Sequence, residues 1–275
     1  MTTRAAPSPA SVLIAAGCAR AALAGLRAAQ PGGREIWDRT NHAGRTVSLL
    51  EGPAWALGAL GGLLIAGGRG GTAGALAVAG AAAVGALDDH VGTTTVKGLR
   101  GHLGALRQGQ VTTGVLKIVG LAATGLAAVT VLDAAEDHGP GTGTLLGGAV
   151  VAAAADLANL FDLRPGRALK VVLLTTPLAA CGGAQARGLA AVTAGACCAL
   201  LPEDLAGRTM LGDTGANAAG ALAGLAAVAG RGHLARATTL AVLAGLILAS
   251  ERVSFTAVIA RTPWLDAADR WGRSR

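Results

Sequence analysis

The chain has 275 residues, of which 52% are hydrophobic and only 14% are charged, and its mean hydropathy is +0.53. A soluble domain carries about 25% charged residues, so this composition argues against an ordinary soluble protein. The formal net charge is +7, but the chain contains two Phe and no Tyr. Basic residues are therefore not interleaved with aromatic ones, and we expect no nucleic-acid partner.

Nine apolar segments are long enough, or nearly so, to cross a bilayer, which takes about 20 helical residues. They cover residues 11–29, 50–68, 72–87, 111–132, 142–160, 168–184, 188–202, 214–230 and 234–250. The sequence predicts an all-α fold, a polytopic membrane bundle of about nine to ten transmembrane helices. We expect residues 1–275 to form a single integral-membrane domain that ends in a short basic cytoplasmic tail, 251–275.

The connections between these segments alternate in charge. Most Lys and Arg residues lie in one set of connections, at 30–49, 88–110, 161–167, 203–213 and in the tail from Glu251. By the positive-inside rule this basic side is cytoplasmic. The pattern predicts a multi-pass protein of the plasma membrane with an extracytoplasmic N-terminus and a cytoplasmic C-terminus.

Acidic motifs lie at the junctions on this same basic side. They are Asp88-Asp89 after the third segment, Asp156, Asn159 and Asp162 at the end of the fifth, and Gly212-Asp213-Thr214-Gly215-Ala216-Asn217 at the start of the eighth. Two adjacent carboxylates repel each other, and a divalent cation or a positively charged ligand relieves that repulsion. We therefore expect the motifs to converge into one cytoplasmic site.

Three polar residues admit a structural and a functional interpretation. Asp156 lies within an apolar run, where an ionised group is costly, and either hydrogen-bonds Asn217 or a backbone group of another helix, or serves a site. Lys117 either extends to the membrane surface along its aliphatic stem or pairs with an anionic ligand. Asp213, between two glycines, either caps the following helix or binds a metal while the glycines admit a phosphate.

Taken in order, these motifs resemble those of the polyprenyl-phosphate N-acetylhexosamine-1-phosphate transferases, a family that includes phospho-MurNAc-pentapeptide translocase. The resemblance covers nearly the whole chain. The matching stretches are Asn41-His42-Ala43-Gly44-Arg45-Thr46-Val47, Leu87-Asp88-Asp89, Asn159-Leu160-Phe161-Asp162 and Met210-Leu211-Gly212-Asp213-Thr214-Gly215-Ala216.

The resemblance implies transfer of a sugar 1-phosphate from a UDP-sugar to a polyprenyl phosphate, with release of UMP, in cell-envelope polymer synthesis such as that of peptidoglycan. It implies Mg²⁺ as cofactor, held by Asp213 with Asp88 and Asp89, and a catalytic role for the same three residues. The implied substrate-binding residues are Asn41, Arg45, Lys117, Asn159, Asp162, Gly212, Gly215 and Asn217. Membrane lipid is the expected surrounding, and a homodimer is left open.

The chain departs from the family pattern at two places. Leu163-Arg164-Pro165 stand where the family has Gly-x-Asp, and the His-rich motif near the C-terminus is replaced by Glu251-Arg252-Val253-Ser254-Phe255. Two alternatives follow. The first is a catalytically degenerate homologue that acts as a membrane scaffold or lipid-carrier binder. The second is a transporter with Asp88, Asp156 and Asp213 along its path.

Overall fold

A computed structural model describes residues 9–41, 44–92 and 98–273. The chain is 79% helical. In chain order the elements are α1 (Pro9–Ala29), α2 (Arg34–Trp37), β1 (Asp38–Thr40), β2 (Thr46–Ser48), α3 (Glu51–Ala66), α4 (Gly68–Val91), α5 (Gly98–Arg107), α6 (Thr113–Ala135), α7 (Thr142–Phe161), α8 (Arg167–Ala179), α9 (Ala184–Leu205), α10 (Gly212–Val228), α11 (His233–Ser250), α12 (Phe255–Arg261) and α13 (Pro263–Arg270).

Each of the nine apolar segments forms a helix, and six of these helices are long and apolar enough to cross a membrane: α1, α4, α6, α7, α9 and α11. The other three are shorter, with 16 residues in α3, 13 in α8 and 17 in α10. Helix α8 contains Pro177 and passes into a 3₁₀ turn at Ala180–Gly182, which shortens the predicted segment 168–184. The structure therefore supports a membrane-embedded helical protein with six candidate spans.

Helix α10 is the centre of the bundle. It is buried along almost its whole length and packs against α4 and α7. The contacts are made by small residues: Gly220 faces the backbone of Ala154 and Ala155 on α7, and Gly85 of α4 faces the backbone of Asp213. Small side chains allow helix backbones to approach closely, so the Ala- and Gly-rich sequence of α10 suits a helix surrounded by protein.

A buried ion pair joins three helices at the end of the bundle opposite the acidic motifs. Arg236 of α11 contacts Asp133 of α6, with 2.7 Å between Nη2 and Oδ1. The hydroxyl of Thr144 on α7 donates to Asp133 Oδ2 at 2.7 Å. Within α11, which is described throughout, Arg236 is the one buried residue. This pair is therefore the main polar contact that holds α11 against α6 and α7.

The predicted loops contain structure that the hydropathy pattern does not reveal. The connection at 30–49 holds a two-stranded antiparallel hairpin in which Arg39 pairs with Val47, so the fold is not purely α. Helix α4 continues to Val91, which places Asp88 and Asp89 inside its last turn. The expected simple tail forms α12 and α13.

The close approach of α4 to α10 gives a direct test of this packing. A Cβ atom at Gly85 would collide with the backbone of Asp213, and overpacking of this kind typically costs about 1–3 kcal/mol. We expect Gly85→Ala to lower the thermal unfolding midpoint in detergent. The matched control is Gly17→Ala in α1, where an added Cβ meets no atom within 4 Å and a gain in helix propensity is expected. Equal midpoints for the two variants would contradict the packing.

Candidate functional site

A cavity of about 770 Å³ lies at the end of the bundle where α4 ends and α10 begins. Five connections or helix ends, far apart in the sequence, contribute polar side chains to its wall. These residues are Arg39, Asn41, Arg45, Asp88, Asp89, Asn159, Asp162, Arg164, Asp204, Asp213 and Arg273. The expected convergence of the acidic motifs is thus seen in the geometry, and Gly212 lines the same wall.

The Lys117 ammonium lies at the meeting point of the motifs. Lys117 of α6 is only 9% exposed, forms an ion pair with Asp213 and lies with its Nζ 3.5 Å from Asp88 Oδ2. The Asn159 amide on α7 donates to the same Asp213 oxygen at 3.3 Å. The lysine is therefore buried and paired with carboxylates of the protein. It joins α4 and α10 through their carboxylates.

Asp89 has a different task from its neighbour. Its Oδ1 accepts the backbone N–H of Asp213 at 2.9 Å, and its Oδ2 accepts the N–H and the hydroxyl of Thr214 at 2.9 and 2.6 Å. The first N–H groups of a helix have no partner within the helix, and a negative charge there is stabilised by the helix dipole. Asp89 of α4 is thus the cap of α10, a role the sequence had suggested for Asp213 itself.

Two predicted substrate-binding residues of α10, Gly215 and Asn217, do not line the cavity, and neither does Lys117 of α6. Asn217 is fully buried, and its side-chain amide has no hydrogen-bond partner among the described residues, so the expected bond to Asp156 is not formed. Gly215 faces α3, where an added Cβ would lie 2.7 Å from the Cα of Gly52. Gly215 therefore permits the contact of α10 with α3. Neither residue is placed to touch a ligand in the cavity.

A second group of acids consists of two residues of the cavity wall, Asp162 and Asp204, together with Glu51. Asp162, just after α7, accepts the backbone N–H of Gly212, while burial and the charges of Asp204 and Asp213 raise the pKa of Asp162 well above its usual range. Glu51 and Asp204 are almost completely buried. Neither residue belongs to the motifs predicted from the sequence. The one available signal was an acid two residues from a proline in each case, Glu51 before Pro53 and Asp204 after Pro202.

The C-terminal strap, residues 251–273, packs on the loop that follows α7. Arg167, which is buried, donates from Nε and Nη2 to the two carboxylate oxygens of Asp269 at 2.8 and 2.9 Å. Phe255 stacks on Phe161 with 5.2 Å between ring centroids. Arg273 donates to the carbonyl of Pro165 at 2.9 Å and lines the cavity. The expected short basic tail is therefore a docked segment that supplies part of the site.

The carboxylates of Asp88 and Asp213 fit a Mg²⁺ ion if a phosphate ligand supplies further oxygen atoms. Among residues 9–41, 44–92 and 98–273, no group of three or more His, Cys, Asp or Glu side chains is arranged to hold a metal. Asp88 and Asp213 nevertheless converge on a single cation, the Lys117 ammonium. Proteins commonly bind Mg²⁺ through one or two carboxylates together with substrate phosphates and water. The two carboxylates suit such a shared site, in which a phosphate ligand completes the coordination.

The chain was compared with protein-family models and with curated proteins, and neither comparison produced a match. The class that fold and site define is therefore a membrane-embedded helical protein with a mixed acidic and basic cavity at one end.

The docking of the strap depends on the ionised form of Asp269. Burial opposes ionisation, but hydrogen bonds and charge from Arg167 and Arg273 hold the pKa of Asp269 below its usual value. The resulting stabilisation is complete above the unfolded-state value of about 4 and is lost as the pH falls through the lower folded-state value. We expect the protection factors of the α13 amides, which compare observed with intrinsic exchange at each pH, to fall on acidification below about pH 4.

In Asp269→Asn the exchange in α13 should already be fast at neutral pH, since loss of one partner from a buried ion pair costs about 3 kcal/mol or more. The matched control is Asp266→Asn in the same helix. Asp266 pairs with the exposed Arg270, a surface contact worth less than about 1 kcal/mol. Equal exchange rates in the two variants would show that Asp269 does not hold the strap.

Proposed function

We propose that the protein is a Mg²⁺-dependent transferase that moves a sugar 1-phosphate, of N-acetylhexosamine or MurNAc-peptide type, from a UDP-sugar to a polyprenyl phosphate and releases UMP. The observation that carries the proposal is the convergence of three separate motifs at one cavity, where Asp88 and Asp213 pair with Lys117 and Asn159 donates to Asp213. We place this site at the cytoplasmic face of the plasma membrane, because the connections around it carry most of the basic residues. On this topology α3, α8 and α10 also cross, which gives about nine spans.

The charge pattern of the wall supports a phosphorylated ligand. Arg39, Arg45, Arg164 and Arg273 contribute cationic groups to the wall, and Asp88 and Asp213 contribute carboxylates to it. Arginine is well suited to bind phosphate oxygens, while carboxylates hold the cation that a diphosphate requires. The volume of about 770 Å³ lies within the range of roughly 300–1,000 Å³ for small-molecule sites.

Each residue of the cluster has a task in this reaction. Phosphoryl transfer depends mainly on positioning and on stabilisation of charge. Asp213 and Asp88 would hold Mg²⁺, which when bound would offset the charge that develops on UMP as the P–O bond between the two phosphates of the UDP-sugar breaks and an oxygen of the lipid phosphate bonds to the sugar phosphate. Asn159 orients the Asp213 carboxylate through its amide, and Asp89 fixes the start of α10 that carries Asp213.

In the proposed reaction Lys117 binds the acceptor, the polyprenyl phosphate. In the structure its charge is balanced by Asp213 and Asp88. When those carboxylates bind a metal, the ammonium is available to pair with the phosphate of the lipid. The arginines of the wall contact the nucleotide diphosphate, and apolar surfaces between the helices hold the prenyl chain.

A second candidate function is a non-catalytic homologue that binds the lipid carrier. Two observations favour it. Lys117 already neutralises the two carboxylates, and the described residues contain no three-ligand metal group. Both functions require the protein to bind polyprenyl phosphate, but only the transferase turns over a UDP-sugar.

The test is UMP release by the purified full chain in proteoliposomes that contain undecaprenyl phosphate, Mg²⁺ and each of several UDP-sugars, including UDP-GlcNAc and a UDP-MurNAc peptide. We expect Mg²⁺-dependent release with at least one donor. Asp213→Asn should lower the rate by about 100-fold or more, the usual scale for loss of one electrostatic contact to the transition state. Asp266→Asn, which affects only the pair with the exposed Arg270, should leave the rate unchanged.

Two results would contradict the transferase. Release of no UMP with any donor, by protein that still binds the polyprenyl phosphate, would favour the lipid-carrier binder. Unaltered turnover in Asp213→Asn would show that the reaction takes place at another site.

A further inference from the structure

Helix α13 presents an apolar stripe to its surroundings. Trp264, Ala267, Ala268 and Trp271 are all exposed, with the two tryptophans 70% and 73% exposed. Their spacing of three, four and seven residues places them on one face of a helix. Two large exposed aromatic rings on one short stripe form an unusual surface for contact with water.

The opposite face of α13 carries the charge. Asp269, with its side chain 9% exposed, is held by Arg167 and Arg273. The Lys170 ammonium donates to the carbonyls of Ala268, Asp269 and Trp271 at 3.1, 2.9 and 2.6 Å. The helix thus differs from a surface helix of a soluble protein, since Asp269 faces the protein and both tryptophans face outward.

The position of α13 in the chain indicates what lies against this stripe. Four residues, 251–254, separate α12 from α11, a candidate membrane span that ends at Ser250, so the strap begins where a span leaves the bilayer. Tryptophan is enriched at the boundary between lipid and water. Exposed arginines accompany the stripe, namely Arg252, Arg261 and Arg270, and basic residues at this depth attract anionic headgroups.

We propose that α13 lies in the plane of the membrane interface, with Trp264 and Trp271 inserted among lipid chains and the arginines among anionic headgroups. Because Asp269 on the inner face holds Arg273, and Arg273 lines the cavity, the lipid contact also fixes one wall of the candidate site. This inference concerns a lipid-binding surface and does not depend on the transferase reaction.

The test uses tryptophan fluorescence of the full chain in vesicles of phosphatidylcholine and phosphatidylglycerol whose acyl chains either carry bromine or lack it. Bromine quenches tryptophan by contact. The chain has four tryptophans, so the contribution of the two strap residues is the emission of the unaltered protein minus that of Trp264→Phe/Trp271→Phe. Phenylalanine keeps an aromatic ring at both positions, and the single variants provide the same difference if the double variant does not fold.

We expect the difference emission to be lost in brominated vesicles and to resist iodide added to the water. The matched control is Trp55→Phe, because Trp55 is fully buried in the core and its contribution should resist both quenchers. Quenching by iodide without quenching by bromine would place the stripe in water and overturn the proposal. Resistance to both quenchers would mean that a protein surface, such as a second copy of the chain, covers it, and would overturn the proposal as well.

Discussion

The arrangement depends on one buried cation. The Lys117 ammonium lies within a bundle of apolar helices, where an unpaired charge is strongly unfavourable, and Asp213 and Asp88 provide the compensating charge. Since these three residues belong to α6, α10 and α4, the need for neutrality constrains how the three helices can pack. The contacts that form the candidate site therefore also constrain the packing of the bundle.

Two further features bring α4 and α10 close enough for this cluster to form. Gly85 lets the backbone of α4 approach the start of α10, and Asp89, one residue after Asp88, receives the N–H groups of Asp213 and Thr214. The two adjacent carboxylates therefore have different roles. Asp88 faces the lysine and the cavity, and Asp89 anchors the helix that carries Asp213. Repulsion between the two acids is offset because each has its own positive partner.

Much of the architecture follows from local sequence. The nine apolar runs are helices because uninterrupted Ala, Val, Leu and Gly segments of this length satisfy their backbone hydrogen bonds internally. The grouping of Asp88, Asn159, Asp162 and Asp213 at one end follows from their position at the junctions on the basic side. Both features are encoded by hydropathy and charge along short stretches.

The partners of individual side chains are set by contacts between remote segments, which periodicity does not report. Lys117 and Asp213 are 96 residues apart, and Arg167 and Asp269 are 102 apart. The strap was expected as a tail because its composition is polar, yet Arg167, Lys170 and Phe161 hold it on the bundle. Asn217 follows directly after the Gly212–Ala216 motif, yet its side chain turns inward, away from the cavity.

The coupling between Lys117 and Asp213 is the most direct measure of this account. A double-mutant cycle of Lys117→Met and Asp213→Asn, followed by unfolding in detergent, isolates the pairwise contribution from the loss of each side chain alone. We expect the double variant to lose less stability than the sum of the single variants, with a coupling free energy of about 1–3 kcal/mol. Additive losses would contradict it, because the lysine and the aspartate would then stabilise the bundle independently.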